Sequence, residues 1–357
     1  MTTVTKALSV GALRAEPGTK TRGSVRADLG TLTVDLPLTL VNGARPGPRV
    51  TITAGVHGGE FTPVDAAARL ATLLDPDEVR GQVIICPVAN PPAVYDGRLN
   101  VSPVDGVNIN RVFPGDPDGS PTERLASWLF AHLVDGADVY IDLHCGGIDQ
   151  VLRDFVGYRL TGAPDLDGAT AELAGSFGIE DVILGLEADG GNSHAAAARR
   201  GISAVLVEVG ELGQRDGATA DRRVDGVLQA LRHLSVLAPT GQNGPTGTTA
   251  PAVREWVWAA GVTAEATGLW YPEFSAGDDV AEGDLIGRII DPADGAEHEV
   301  HTPVGGRLFY GMHGLTVAPG HELAAIAAPW DPDPATRPAD FRTPGVGVAP
   351  AEPDPHA

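Results

Sequence analysis

The chain is short of positive charge and of long apolar runs. Its 357 residues carry 25 Lys and Arg against 47 Asp and Glu, a formal net charge of −22 at pH 7. Because nucleic-acid binding draws on a basic surface that releases counterions, this deficit excludes a nucleic-acid-binding protein. The same charge repels anionic lipid, and no apolar run approaches the roughly 20 residues of a membrane span. We therefore expect neither a nucleic acid nor a membrane as partner.

Cysteine is almost absent as well. Cys86 and Cys145 cannot build a disulfide framework, and this usage fits a reducing compartment. The N-terminal stretch has a short apolar patch without the cleavage site of a secretory signal, so we predict a cytoplasmic protein. The composition, 43% hydrophobic and 20% charged, is that of a globular protein, and the length allows two domains.

Strands that alternate with helices dominate the first two thirds of the chain. Residues 1–49 show a period-two pattern typical of antiparallel strands. Further on, strands near 50–56, 82–88, 138–143 and 203–209 alternate with helices near 62–74, 122–133, 169–177 and 222–234. Thr62 is the predicted N-cap of the first helix, with Pro63 at its first position. This order predicts an α/β fold, a doubly wound mixed sheet, in which ligands bind beyond the carboxyl ends of the strands.

The last third of the chain differs in composition and in its predicted secondary structure. Residues 236–253 are rich in Pro, Gly and Thr and are predicted to link an α/β domain, 1–235, to a second domain, 254–330. The second domain shows short strands, Gly-rich turns and no convincing helix, which predicts a small all-β unit. The Pro- and Asp-rich tail, 331–357, offers too little apolar surface to order itself.

Candidate metal ligands follow two of the predicted strands. His57 and Glu60 flank two glycines in a strand-to-helix turn, where both side chains can converge on one ion. Asp142 and His144 end the strand at 138–143 and share one face, so Asp142 could hydrogen-bond the ring nitrogen that a metal leaves free. Two histidines and one glutamate leave a fourth position open, the layout of a catalytic zinc site. Without a metal, Glu60 would be a loop carboxylate near a helix N-terminus and His144 an exposed strand-end histidine.

Candidate residues for substrate binding and proton transfer lie in two more motifs. The segment DGVNINRVFPG holds Asn110 and Arg111, which beside a metal become a clamp for a substrate carboxylate and otherwise would be a surface loop. Glu208 ends an apolar strand, where a carboxylate is costly to bury without a partner. Beside an activated water it would act as general base, although Glu211 stays open for that role. The segment 191–195, GNSHA, ends in Ala where a nucleophile elbow needs Gly and is interpreted as a loop near the site.

In this order, HGGE, NP (90–91), DGVNINRVFPG, DLH and VEVG resemble the succinylglutamate desuccinylase/aspartoacylase family of zinc deacylases, relatives of the zinc carboxypeptidases. The resemblance covers about residues 10–330 and is closer to the N-acetyl-diaminobutyrate deacetylase and unassigned branches than to aspartoacylase itself. It implies a lipoyl-like β-sandwich after the α/β domain. It also implies one Zn²⁺ on His57, Glu60 and His144, a catalytic carboxylate at Glu208, substrate-binding residues at Asn110 and Arg111, and a carbonyl-polarising arginine at Arg98.

We therefore predict a zinc-dependent amidohydrolase that removes an acyl group from an N-acylated amino acid or small amine. The negative net charge favours a small-molecule substrate that keeps a cationic amine and is zwitterionic. Two alternatives stay open: a zinc carboxypeptidase on short or cell-wall peptides, and a catalytically inactive homologue that binds a small molecule. The sequence also leaves a homo-oligomer open.

Overall fold

A computed structural model describes residues 6–97, 100–186, 191–239 and 252–331. The strands are β1 Leu8–Val10, β2 Leu13–Ala15, β3 Thr19–Asp28, β4 Thr33–Asn42, β5 Arg45–Ala54, β6 Arg80–Cys86, β7 Val139–His144, β8 Gln150–Leu152, β9 Phe155–Arg159, β10 Asp181–Gly185, β11 Ser203–Glu208, β12 Arg254–Thr263, β13 Gly268–Pro272, β14 Asp279–Val280, β15 Leu285–Ile290, β16 Glu297–His301, β17 Gly306–Met312, β18 Thr316–Val317 and β19 Glu322–Pro329. The helices are α1 Phe61–Leu73, α2 Pro121–Leu129, α3 Pro164–Gly175, α4 Ser193–Arg199 and α5 Gly217–His233, with π-helical turns at Pro92–Gly97 and Phe130–Val134 and a 3₁₀ turn at Ile109–Arg111.

Thirteen strands form one large mixed sheet. Its order is β14-β17-β19-β12-β10-β9-β11-β7-β5-β6-β4-β3, and β8 pairs with β17. The central strands β6, β5, β7 and β11 are parallel, whereas β9 is antiparallel to β11 and parallel to β10. The predicted α/β fold with a large mixed sheet is confirmed.

Helices cover both faces of the sheet, as the alternation of elements predicts. On one face α1, α3 and α5 pack against the apolar side chains of β5, β7 and β11. On the other face α2 and α4 pack with β1 and β2 against Tyr140, Ala204 and their neighbours. Because the parallel strands are buried on both faces, their sequences are almost continuously apolar. Their carboxyl ends meet at one edge, where the polar candidates of the sequence lie.

Local signals set the helix starts, with one correction. At α2, Ser120 and Glu123 form a reciprocal capping box and Pro121 is the first helical residue. At α1, the predicted cap at Thr62 is wrong, because the helix begins at Phe61 with Glu60 in the N-cap position. The Thr62 hydroxyl donates instead to the carbonyl of Gln214. A tertiary hydrogen bond to Gln214 thus replaces the helix-capping bond that the local pattern predicted for the Thr62 hydroxyl.

Other segments differ from the pattern-based assignments. Segment 191–195 is not a loop, because α4 begins at Ser193. The alternation also missed the five-residue strands β9 and β10, whose residues are all buried. Helices α3 and α5 begin five residues earlier than predicted, at Pro164 and Gly217.

Among the described residues, no helix is long and apolar enough to span a bilayer.

The C-terminal segment is built of strands, and residues 252–331 contain no helix. Strands β16-β15-β13-β18 form a second sheet, which packs on β12, β17 and β19 through a core that contains Trp270 and Ile289. Strand β12 pairs in parallel with β10, so the large sheet runs on into this segment. A separate domain at 254–330 stays a prediction. Of the predicted linker, Val236 and Leu237 are buried in the main core, and 240–251 lie outside the described residues, as does the tail from 332 onward.

Candidate metal centre

The turn after β5 presents the first two candidate ligands. Gly55 has a φ of 65°, and a Cβ there would come within 3.0 Å of the Pro87 carbonyl oxygen, so the position requires glycine. The side chain of Asn90 donates to the Val56 carbonyl (3.1 Å), and its backbone N–H donates to Gly55 (2.9 Å). Asn90 therefore holds the turn that delivers His57, a role that the sequence pattern did not reveal.

His57, Glu60 and His144 come together as predicted. One donor atom from each lies within 4.8 Å of the others, and all three side chains are buried. The two oxygens of Glu60 contact His57 Nδ1 at 2.6 Å and His144 Nδ1 at 3.0 Å. Two imidazoles and a carboxylate that converge in this way can hold a metal ion. The alternative interpretation of His144, as an exposed histidine at a strand end, is wrong, since the residue is 1% exposed.

Asp142 supports His144 from the same face of β7. Its Oδ2 lies 3.0 Å from His144 Nε2, an ion-pair distance whose orientation falls short of a hydrogen bond. The Thr53 hydroxyl donates to its Oδ1 (2.6 Å), and the Ser193 hydroxyl donates to its Oδ2. A fully buried carboxylate with these partners can orient a ligand histidine. The sequence did not point to Thr53, and it placed Ser193 only in a loop near the site, because both residues meet Asp142 through tertiary contacts.

The charges in this cluster favour a cation. Burial by itself opposes ionisation of Glu60, but the rings of His144 and His57 outweigh it and bring the pKa of Glu60 well below the usual range. Burial likewise opposes protonation of His144, yet Asp142 and Glu60 hold its pKa well above the usual range. The carboxylates thus keep a proton on His144, and a metal cation would take the place of that positive charge.

Glu208 lies directly across from His144 in the pairing of β11 with β7. Its Oε2 atom is buried without a hydrogen-bond partner in the described part of the chain. Burial raises the pKa of Glu208 to about 8, although the nearby His144 opposes the shift. Glu211 is engaged elsewhere, since its carboxylate accepts the Leu152 N–H at 3.2 Å. The geometry therefore favours Glu208 over Glu211 as the carboxylate of the site.

The predicted substrate residues Asn110 and Arg111 belong to a 3₁₀ turn, and the Asn110 side chain joins this turn to another element. Its side-chain oxygen accepts the Ser193 N–H at 2.9 Å, which ties the 3₁₀ turn to the start of α4. Asn108, which the sequence pattern did not single out, places its oxygen 3.1 Å from His57 Nε2. Arg111 donates to the Asn110 carbonyl (2.8 Å), and its Nε is buried without a partner in the described residues. Arg98 lies outside the described residues, so its role stays a prediction.

A buried arginine behind the site was also missed. Arg223, 2% exposed on α5, donates to the carbonyls of Val207 (3.2 Å) and Val209. These carbonyls flank Glu208, so Arg223 holds the end of β11 that carries this carboxylate. A lone arginine on the apolar face of a predicted helix was the available signal, because such a group must find carbonyl or carboxylate partners.

Comparison with known proteins decides the family. Residues 46–234 match the family model described as the succinylglutamate desuccinylase/aspartoacylase catalytic domain. The chain belongs to this family. The N-alpha-acetyl-L-2,4-diaminobutyric acid deacetylase of Halomonas elongata is 33% identical over 261 residues, which cover 72% of this chain and 75% of that protein. The family resemblance inferred from the motifs is thus confirmed.

Solved structures agree on the fold of nearly the whole described chain. A succinylglutamate desuccinylase/aspartoacylase from Rhodobacter sphaeroides has a TM-score of 0.78 and 30% identity, covering 87% of this chain and 96% of its own. The product-bound ectoine utilization protein EutE (DoeB) from Ruegeria pomeroyi has a TM-score of 0.77 at 24% identity, covering 87% and 95%. Because these alignments span 87% of the chain, the shared fold extends beyond the catalytic domain.

Proposed function

We propose that the chain is a zinc-dependent amidohydrolase that removes an acyl group from an N-acylated amino acid or small amine. The observation that carries the proposal is the convergence of His57, Glu60 and His144 beside Glu208, whose Oε2 atom is buried and has no partner among the described residues. The family is one of deacylases, and its Halomonas relative is named for an N-acetylated diamino acid.

The donor set fits zinc. Imidazole nitrogens and a carboxylate oxygen are ligands that zinc prefers, and three protein ligands leave a position for a reactant. The buried carboxylates of Glu60 and Asp142, which lie against the two histidines, favour a cation between them. When bound, zinc would polarise the scissile carbonyl and lower the pKa of water.

The side chains around this centre are proposed to transfer protons, orient a ligand and bind the substrate. Glu208 accepts a proton from the attacking water and then gives it to the leaving nitrogen, which a carboxylate with a raised pKa can do near neutral pH. Asp142 keeps the ring of His144 in its orientation. Arg111, with Asn110, orients a carboxylate of the substrate. Arg98 is proposed to polarise the carbonyl oxygen.

The test compares the parent protein with Glu208→Gln on a panel of N-acetyl amino acids, N-succinyl amino acids and dipeptides, with zinc supplied. We expect one zinc per chain in both proteins and a loss of deacylase activity of about 10²- to 10⁴-fold in the variant, since it removes the proton carrier. Glu211→Gln is the matched control and should retain activity within a few-fold, because Glu211 bonds a backbone N–H away from the ligands.

Each alternative has its own signature in this experiment. Full deacylase activity in zinc-loaded Glu208→Gln would contradict the mechanism. Hydrolysis of dipeptides without hydrolysis of N-acyl amino acids would favour a carboxypeptidase. Absence of zinc from protein purified without chelator, together with no turnover, would favour an inactive small-molecule-binding homologue.

A further inference from the structure

Ser193, the first residue of α4, is 0% exposed and carries a hydroxyl whose partner lies outside the helix. A serine at a helix start ordinarily caps the helix by accepting a backbone N–H of the first turn. Here Asn192 occupies the N-cap position, and its side-chain nitrogen donates to the Asn110 carbonyl at 3.1 Å. The Ser193 hydroxyl donates to Oδ2 of Asp142 on β7. Its side chain is therefore committed to the candidate metal centre rather than to its own helix.

The oxygen that Ser193 binds is the one that faces the candidate ligand histidine. Asp142 Oδ2 lies 3.0 Å from Nε2 of His144, and the other ring nitrogen, Nδ1, lies 3.0 Å from Glu60 on the side of the candidate metal ligands. Thr53 donates to Oδ1 at 2.6 Å, so a hydroxyl holds each oxygen of the Asp142 carboxylate. Two such bonds fix the plane of the carboxylate, and this plane in turn limits the rotation of the His144 ring.

The backbone around Ser193 is fixed to a second part of the site. Its N–H donates to Asn110 Oδ1 at 2.9 Å, within the 3₁₀ turn that holds the predicted substrate residues. The Phe113 N–H donates to the Gly191 carbonyl at 2.8 Å, which joins the same two segments again. A Cβ at Gly191 would lie 1.7 Å from the Arg111 carbonyl oxygen, so the segments pack without room for a side chain. The start of α4 and this turn therefore form one packed unit.

We propose that Ser193 is a positioning residue that ties the substrate turn, residues 109–111, to the candidate metal centre. Its hydroxyl holds Asp142 and through it the ring of His144, while its N–H holds the side chain of Asn110. Ser193 itself contacts neither substrate nor metal in this role. The inference rests on the proposed function and deepens it, because it names the residue that keeps the groups for chemistry and for substrate binding in a fixed relative position.

The main test is Ser193→Ala, which removes the hydroxyl but keeps the backbone N–H and nearly the same volume. We expect zinc affinity, measured by competition with a chelating dye, to fall by about 3- to 10-fold, because a buried carboxylate loses one charge-assisted hydrogen bond. With saturating zinc, kcat for the N-acyl substrate that the parent hydrolyses best should fall by a similar factor. KM should stay within about 2-fold, since the N–H still holds Asn110.

Ser203→Ala is the matched control. Ser203 is also buried, and its hydroxyl lies 3.0 Å from the hydroxyl of Thr170, at the opposite end of β11 from Glu208. Both substitutions remove one hydroxyl and one buried hydrogen bond, so urea unfolding should show a comparable loss of stability in the two variants. Zinc affinity and kcat should change only in Ser193→Ala. An equal loss of zinc affinity in both variants would show that a loosened core is sufficient, and would overturn the proposal.

A double-mutant cycle tests whether Ser193 acts through Asp142. In an Asp142→Ala background the hydroxyl has no carboxylate to hold, so Ser193→Ala should change zinc affinity by less than about 2-fold. An undiminished loss in that background would contradict the assigned route.

Asn110→Ala tests the other half of the link. In substrate-free protein it should weaken zinc binding by about 2- to 5-fold, and this effect should shrink when Ser193→Ala is already present. A residue that only contacts substrate would leave zinc binding untouched. Unchanged zinc affinity in Asn110→Ala would therefore show that the substrate turn is not tied to the metal centre.

Histidine ring signals test the role of Ser193 without zinc or turnover. In metal-free protein labelled with ¹⁵N-histidine, Ser193→Ala should shift or broaden the ring signals of His144, whereas Ser203→Ala should leave them in place. If the parent hydrolyses no amide, the proposed function fails, while altered ring signals in Ser193→Ala would still support the positioning role. Unchanged His144 signals in Ser193→Ala would overturn the inference, whether or not the protein is active.

Discussion

Two clusters of buried charge lie at the same edge of the large sheet and differ in how they are balanced. One surrounds Asp181, at the start of β10, and the other is the candidate metal centre at the ends of β7 and β11. Both contain a carboxylate that is 0% exposed, Asp181 in one and Asp142 in the other. Burial alone therefore does not distinguish a functional site from a structural one.

In the Asp181 cluster, the buried carboxylate has hydrogen-bond and ion-pair partners within the chain. Its carboxylate accepts from Arg153 Nε (2.9 Å), Arg254 Nε (3.1 Å) and Trp256 Nε1 (2.9 Å), and Arg307 lies 3.8 Å away. With Glu180 and Asp279 included, acidic and basic side chains match in number. These ion pairs join β10 to β12 and β17, so the cluster fastens the C-terminal strands to the α/β sheet.

The candidate metal centre is not fully paired within the described chain. Glu60 and Asp142 share two histidines, and one buried oxygen of Glu208 has no partner among the described residues. A buried polar atom without a partner is costly unless something binds there. The comparison teaches that an unpaired polar atom, rather than burial or clustering, distinguishes the candidate site.

Removal of a candidate metal ligand should have the largest effect and tests whether the two clusters differ in function. In His57→Ala we expect dialysed protein to lose its zinc and the deacylase activity to fall by at least about 10³-fold, since two remaining ligands hold zinc weakly. Metal content by mass spectrometry and turnover measure this. His301→Ala, an exposed histidine on β16, is the control. Zinc retained at one per chain in His57→Ala would show that the ion binds elsewhere.

The substitution Asp142→Asn tests how much the carboxylate beside His144 contributes to zinc binding and activity. We expect zinc affinity or activity to fall by about 10- to 100-fold, because the amide orients His144 without a charge. Competition with a chelating dye measures the affinity. An unchanged affinity would mean that Asp142 is a buried polar group of the core and not part of the centre.

Asp181→Asn is the matched change in the balanced cluster. Here we expect the free energy of unfolding to fall by about 2 kcal/mol, below the full loss for a buried pair because the arginines are partly exposed. Zinc affinity should not change. Urea unfolding measures the loss, and Asp279→Asn, whose side chain is 69% exposed, should cost less than about 0.5 kcal/mol. Altered zinc binding in Asp181→Asn would erase the distinction between the clusters.

Glu322 provides the last test, a dependence of stability on pH. Burial raises its folded pKa to about 7, above its unfolded value near 4.3. The resulting stabilisation is fully present below the unfolded pKa and is lost as pH rises through 7. Between pH 5 and pH 8 the ligand-free parent should therefore lose about 1–3 kcal/mol more unfolding free energy than Glu322→Gln. Parallel losses in the two proteins would show that Glu322 is well solvated.

Much of the fold and site followed from local patterns. The apolar strands from Val50 onward, each ending in a polar group, predicted the parallel sheet and its active edge. His57, Glu60 and His144 could be named because each stands directly at a strand end, where position in the sequence determines position in the sheet. Glu208 could be named for the same reason.

Contacts across the sheet escaped prediction. Thr62 follows the local rule for a helix cap, yet its hydroxyl bonds Gln214, which lies 152 residues further along the chain. Ser193 and Thr53 became partners of Asp142, and Asn110 became an acceptor for the start of α4. Each is an ordinary polar residue whose role depends on what a distant segment brings to it.

The sequence by itself determined the family, the alternation of the main strands and helices and the candidate metal ligands, because these depend on periodicity and on residues near strand ends. Only the tertiary structure decided that Glu208 rather than Glu211 faces His144, since the pairing of β11 with β7 sets that register. Only the tertiary structure brought Ser193 to Asp142, 51 residues apart in sequence. Side-chain partners at such separation depend on how the sheets pack, and no local pattern carries that information.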